Sequence, residues 1–215
     1  ISRGNKTWLY HGLFVLRMVA LVFIIIALAR PQSSSSHSDV NVEGIDIVMA
    51  MDISGSMLAQ DFTPNRIEAA KEVGIDFIKG RPNDRIGLVV FSGESFTQCP
   101  LTIDHAVLIN LFNGVKYGLI DDGTAIGLGL ANAVNRIKDS KSKSKVIILL
   151  TDGSNNCGDI APITAAEIAK TFGIRIYTIG VGTTGIVNIP VPTPLGVQYQ
   201  QVQSDFDSKS LKEIA

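Results

Sequence analysis

From about position 45 onward, short apolar runs alternate with amphipathic stretches, and this alternation is the strongest pattern in the chain. Residues 45–51 (IDIVMAM), 86–91 (IGLVVF), 146–150 (VIILL) and 174–181 read as strands. Each is short and almost unbroken in apolar character, as a strand covered on both faces must be. Between them, residues 66–78, 106–115, 125–137 and 163–172 carry apolar positions at helical spacing. Strands separated by helices require right-handed crossovers, so the predicted class is α/β, a doubly wound, mostly parallel open sheet with helices on both faces. Residues 186–203 place Pro190, Pro192 and Pro194 ahead of an alternating GVQYQQVQ, which predicts a surface excursion ending in a short strand or hairpin. A helix is predicted to open at Ser208.

A different pattern precedes position 40. Residues 13–29 (LFVLRMVALVFIIIALA) form an apolar run broken only by Arg17. Extended back to Trp8 and Tyr10 as interfacial aromatics, it predicts a single membrane-spanning helix, with Arg17 snorkelling or facing a neighbouring helix. Two other readings stay open. One is a secretory signal, because Ala27-Leu28-Ala29 has the small-x-small form, and the other is a buried core helix, because the uninterrupted part is short. Arg3, Lys6 and Arg17 lie before or early in the run and Arg30 alone follows it closely, which places the N-terminus in the cytoplasm and the rest outside. The expected division is an anchor over 1–30, a serine-rich linker over 31–39 (from PQSSSSHS) and a folded domain over 40–215.

Charge narrows the function. With Lys+Arg 19 against Asp+Glu 20 the formal net charge is -1, so the chain lacks the basic field that nucleic-acid binding needs. Cys99 and Cys157 are too few for a disulfide framework and form no CxxC; they read first as buried thiols, with a redox role as the competing reading. His11, His37 and His105 show no zinc-binding spacing. Glu94, Asp104 and Asp159 read as solvated loop acids or helix caps.

Chemistry concentrates at three junctions where an open α/β sheet places its sites. The first strand runs into Asp52-Ile-Ser54-Gly-Ser56, an acid followed by hydroxyls at alternate positions on a tight loop. Asp121-Asp122-Gly123-Thr124 opens a helix and adds a third hydroxyl. The strand VIILL ends in Thr151-Asp152-Gly153, a second strand-end carboxylate. Hard oxygens of this kind suit Mg2+, Mn2+ or Ca2+. Taken singly, each piece is equally well a helix cap or a turn. The glycines of TAIGLGLANA follow the helix start instead of preceding it, so they read as close packing against the sheet and not as a phosphate cradle.

Taken together and in this order, DxSxS, a DGT threonine and TDG resemble the metal-ion-dependent adhesion site (MIDAS) of von Willebrand factor A domains. DISGSM, FSGESFTQCPLT, DDGTAIG, VIILLTDGSNN and IYTIGVG, with an apolar run ending in ALARPQ, further resemble the Bacteroides aerotolerance (Bat) group of membrane-anchored bacterial A domains. The resemblance implies a Rossmann-like A domain whose metal is held by Asp52, Ser54, Ser56, Thr124 and Asp152. It also implies an inner-membrane protein with the A domain in the periplasm, a role in aerotolerance or stress, and an association with other Bat-family proteins and a MoxR-type ATPase. Metal-dependent binding of a protein partner that donates an Asp or Glu carboxylate is the expected function. The family pattern further implies one more strand and helix, and another membrane segment, past Ala215, so the C-terminal end of the domain is expected to be truncated.

Two rivals stand beside this reading. A magnesium-dependent phosphohydrolase would resemble DxDx[TV], but Ser54 occupies the place of its acid/base carboxylate, so the expectation is no enzyme. The other rival is a structural assembly subunit with a vestigial metal site.

Overall fold

The computed structural model describes residues 4–28, 44–193, 196–204 and 206–215. The chain divides into two compact units, residues 1–41 and 42–215. In the first, the described residues form the helix α1 (Gly4–Leu28). The second runs β1 (Asp46–Asp52), a short 3₁₀ helix (Gly55–Leu58), α2 (Arg66–Lys79), β2 (Arg85–Phe91), β3 (Ser95–Thr102), α3 (His105–Asn113), α4 (Ile126–Ile137), β4 (Lys145–Thr151), α5 (Pro162–Thr171), β5 (Ile174–Gly180), β6 (Ile186–Thr193), β7 (Gly196–Gln203) and α6 (Ser208–Ile214).

Five strands form one sheet in the order β3-β2-β1-β4-β5, with β3 antiparallel and the rest parallel. Side chains alternate between faces along a strand, and the two apolar cores follow that period. Ile47, Met49 and Met51 of β1 join Ile86, Leu88 and Val90 of β2 under α2 and α3. Val48 and Ala50, with Val89, Phe91, Ile147 and Leu149, pack under α4, α5 and α6 on the other face. Every residue of β1 is buried, which explains why its sequence shows no polar alternation.

The crossover after β1 runs through α2 to one side, and that after β4 runs through α5 to the other. Adjacent β1 and β4 are therefore where the winding reverses, and the crevice beyond their C-terminal ends is where such a sheet receives ligands. Helix α4 is drawn close to this crevice by its glycines. A Cβ at Gly129 would lie 2.6 Å from the Phe91 ring, and one at Gly127 only 1.9 Å from the Ile160 carbonyl oxygen.

Three expectations change. Strand β3 was not anticipated, because Ser-Phe-Thr-Gln-Cys-Pro-Leu-Thr mixes polar residues with Pro100; proline removes a ladder donor and is tolerated here because β3 is an edge. The hairpin, one of the two forms expected at the end of this segment, is longer than expected: β6 and β7 pair at eight register positions, and the strand pairing begins at Ile186. Pro190 and Pro192 cannot donate to β7, so they occupy alternate positions whose nitrogens point outward; Asn188, in the same phase, turns its carbonyl outward to accept the Gln60 amide at 3.0 Å.

The third change concerns α1. The helix forms, and Phe14, Leu16, Val19, Phe23 and Ile24 are exposed on it. Among the described residues, however, no helix is long and apolar enough to cross a membrane. Arg17 breaks the run, and the uninterrupted portion of α1 from Met18 rises only about 16 Å, roughly half of a bilayer's hydrocarbon thickness. The expected linker and the domain start near Val40 lie outside the described residues.

The close approach of α4 makes a measurable prediction. Gly127→Ala is expected to lower the unfolding free energy by about 1–3 kcal/mol in urea titrations, because its methyl group meets backbone that cannot yield. Gly80→Ala, at φ -73° with its nearest neighbour 3.6 Å away, is expected to change stability by less than about 0.5 kcal/mol.

Candidate metal centre

Parallel register sets Met51 of β1 beside Leu150 of β4, so the residues that end the two strands emerge together. Asp52 is fully buried; its Oδ1 accepts the Ser54 amide at 2.9 Å and its Oδ2 the Thr151 hydroxyl at 2.5 Å. The Ser54 amide bond turns the chain sharply off the sheet, and the 3₁₀ helix that follows brings Ser54 Oγ to 3.2 Å from Ser56 Oγ. Asp152, also buried, follows β4; its Oδ1 accepts the Ser154 amide at 3.2 Å. Gly153 makes the exit turn at φ +89°, a conformation open to glycine, and the Asp207 carbonyl leaves no room for a Cβ.

Thr124 is buried just before α4. Its amide donates to Asn156 Oδ1 at 2.8 Å, and its carbonyl accepts the amides of Asn156 and Cys157. The carboxylate of Asp122 ties this loop to the serine turn, accepting the Gly55 amide at 2.8 Å and the Gly123 amide at 2.9 Å. Thus Asp52, Ser54 and Ser56 share one turn, Asp152 stands on the adjacent strand end, and Thr124 belongs to a loop that Asp122 fastens to that turn.

Electrostatics at the centre is unbalanced. Burial, and then the charge of Asp152, pushes the Asp52 carboxyl up to about 7 against hydrogen bonds from Ser54 and Thr151. Two like charges at such depth call for a cation. Among the described residues no three His, Cys, Asp or Glu side chains gather as a metal cluster, so hydroxyls must complete any ligand set here. Octahedral Mg2+ at its usual ligand distance spaces neighbouring oxygens by about 3 Å, close to the Ser54–Ser56 separation. The donor set therefore fits a hard divalent ion.

Sequence reasoning missed four residues of this centre: Thr151, which holds Asp52; Asp122, which joins the loops; and the pair Arg66 and Asp61. Arg66 is buried at 1% exposure, with Nη1 on Asp152 Oδ2 at 3.2 Å and Nε on Asp61 Oδ1 at 2.8 Å. Its Nη2 reaches Asp61 Oδ2 at 2.7 Å and Ser204 Oγ at 2.8 Å. Asp61 also accepts the amide and hydroxyl of Thr183 at 2.8 and 2.9 Å. An arginine on the apolar-spaced start of α2 was the available signal, but the helical spacing of 66–78 assigns it no role.

Of the secondary expectations, Asp104 caps α3 through the Val107 amide. Cys99 is buried and Cys157 half-buried; both are free thiols, and burial followed by the Asp104 charge pushes the Cys99 thiol up.

The sequence matches the von Willebrand factor type A domain over residues 46–215. This chain belongs to that family. It is 31% identical over 209 residues to a protein of Borreliella burgdorferi, across 96% of this chain and 61% of the relative. It is 33% identical over 233 residues to a UPF0353 protein of Nocardia farcinica, across 100% of this chain and 67% of the relative. The chain thus spans about two thirds or less of these relatives' own length. Among solved structures it is similar to BatB of Bacteroides thetaiotaomicron (TM-score 0.73, 32% identity, 80% of this chain and 85% of that one). It is also similar to an aerotolerance-related membrane protein of Bacteroides fragilis (TM-score 0.70, 31% identity, 80% and 86%). The likeness to the Bat group read from the motifs therefore stands. A further similar structure is proximal thread matrix protein 1 of the mussel byssus with a zinc-occupied MIDAS motif (TM-score 0.57, 30% identity, 65% of this chain and 36% of that one).

Asp61 supplies a pH prediction. Burial pushes its carboxyl up, but hydrogen bonds from Arg66 and Thr183 outweigh this and lower its pKa from 3.8 to about 2. A carboxyl depressed in the folded state stabilises it above its unfolded pKa and loses that contribution as pH falls toward the folded value. Thermal melts should therefore place Asp61→Asn below wild type at pH 7, with the gap closing between about pH 4 and pH 2.

Proposed function

We propose that this A domain binds a divalent cation, Mg2+ or Mn2+ before Ca2+, through Asp52, Ser54, Ser56, Thr124 and Asp152, and uses it to hold an acidic side chain of a protein partner. The observation that carries the reading is the buried carboxylate pair beside two hydroxyls 3.2 Å apart at the winding reversal of the sheet. The zinc-occupied MIDAS motif of the mussel protein supports it. An ion with neutral hydroxyls among its ligands keeps positive charge to spare, which an Asp or Glu of the partner neutralises. Here the chain's groups position and neutralise. Asp52 is held by Thr151 and Ser54, and Asp122 keeps the Thr124 loop against the serine turn.

The function in this reading is one of binding and not of catalysis, since Ser54 stands where a phosphohydrolase of the DxDx[TV] pattern carries its acid/base carboxylate. The similarity to the aerotolerance group puts other members of that group first among partners to test. For location, we propose association with the bacterial inner membrane through the exposed apolar surface of α1, with the A domain on the periplasmic side; an apolar surface of this extent marks an interaction site. The membrane-protein description of the Bacteroides fragilis neighbour supports this reading.

Thermal melts in EDTA and with Mg2+ or Mn2+ test the metal. At about 100 times the dissociation constant the ion should add roughly 2.7 kcal/mol of stability, and the double variant Ser54→Ala, Ser56→Ala should erase the rise. Pull-down from native membranes should retain the partner with Mg2+ and release it with EDTA; retention unchanged by EDTA overturns the adhesion reading.

A further inference from the structure

Resting on the metal-binding reading above, we infer that Arg66 is a positioning residue that tunes the centre: it weakens the ion's hold and leaves the bound ion more positive toward an acidic partner.

The two carboxylates of the centre are equally buried but differently compensated. Asp152 has a permanent cation within reach, Arg66 Nη1 at 3.2 Å on Oδ2, in a pair whose side chains are 2% and 1% exposed. Asp52 is held by an amide and a hydroxyl, and among the described residues no cation pairs with it. A guanidinium stays charged at any working pH, so its effect on Asp152 is constant. Two full carboxylate charges would cancel a divalent ion. Arg66 subtracts from that sum, and at this depth solvent does little to screen it.

The guanidinium is held so that one arm serves Asp152. Nε and Nη2 are taken by Asp61 in a forked pair, and Nη2 also meets Ser204 Oγ, which leaves Nη1 directed at Asp152. Gly182 closes on the same group, since a Cβ there would come within 3.0 Å of the guanidinium carbon. Fixed by the loop before α2, by the segment after β5 and by the turn after β7, Arg66 cannot swing away when an ion arrives. Asp61 tempers the effect, since its carboxylate offsets part of the guanidinium's charge.

Charge and architecture predict opposite signs. If Arg66 merely supports the fold, its loss loosens the centre and weakens metal binding. If it tunes the ion, its loss tightens metal binding. Calorimetric Mn2+ titration of the full chain distinguishes the two. Arg66→Gln should bind Mn2+ about 10-fold more tightly than wild type, with Arg66→Lys, which keeps the charge without the fork, falling between and nearer wild type. Asp61→Asn, which frees more of the guanidinium's charge, should bind Mn2+ several-fold more weakly. Acetate serves as the carboxylate probe: judged by water-proton relaxation of the bound Mn2+, it should displace water at lower concentration in wild type than in Arg66→Gln. A folded Arg66→Gln, checked by circular dichroism, that binds Mn2+ equally or less tightly overturns the inference. Should that variant not fold, Asp61→Asn decides, and equal or tighter Mn2+ binding by it overturns the inference as well. Wild type that binds no Mn2+ overturns the metal reading and this inference with it.

Discussion

Buried like charges repel, and the pairing of β1 with β4 leaves Asp52 and Asp152 at neighbouring strand ends with almost no access to water. An uncompensated carboxylate at such depth is expensive. Much of the surrounding architecture answers that one problem: the Thr151 hydroxyl and Ser54 amide on Asp52, the Ser154 amide and Arg66 on Asp152, and the raised proton affinity of Asp52. On the proposed reading, the energy this pair withholds from folding is returned by a bound cation.

The scaffold is organised to keep that pair in register. Three central strands, apolar on both faces, fix the ends of β1 and β4 against each other, and the glycines of α4 bring its N-terminal loop in close enough for Asp122 to reach the serine turn. The loops that carry the candidate ligands are consequently tied to each other by hydrogen bonds, a condition for the proposed octahedral site, whose oxygens would stand about 3 Å apart.

Much of this was legible in the sequence, and what was missed follows a physical pattern. β1, β2 and β4 announced themselves because strands buried on both faces must be apolar throughout, and β5 was legible although it is an edge strand whose Arg175 and Tyr177 are exposed. The five ligand candidates were visible because each sits at a junction where the hydrophobic period changes. What escaped notice depends on partners distant in the chain. Arg66 is separated from Asp152 by 86 positions and from Ser204 by 138, so no local pattern separates it from a solvated helix residue. β3 was hidden because an edge strand needs only one buried face and tolerates Pro100. For α1 the composition overstated the case, since Arg17 splits an apolar run whose length mattered more than its richness.

The bond from Arg66 to Ser204 also has a bearing on how the protein is made. A chain synthesised from its N-terminus exposes Asp52 and its serines first, Asp152 only after another hundred residues, and Ser204, whose hydroxyl completes the guanidinium's fixation, 52 residues later still. The candidate site is thus an arrangement of high sequence separation, of the kind that forms late and slowly. A partly made chain carries the candidate ligands but not the latch, so the charge balance around Asp152 is complete only once synthesis has passed the hairpin.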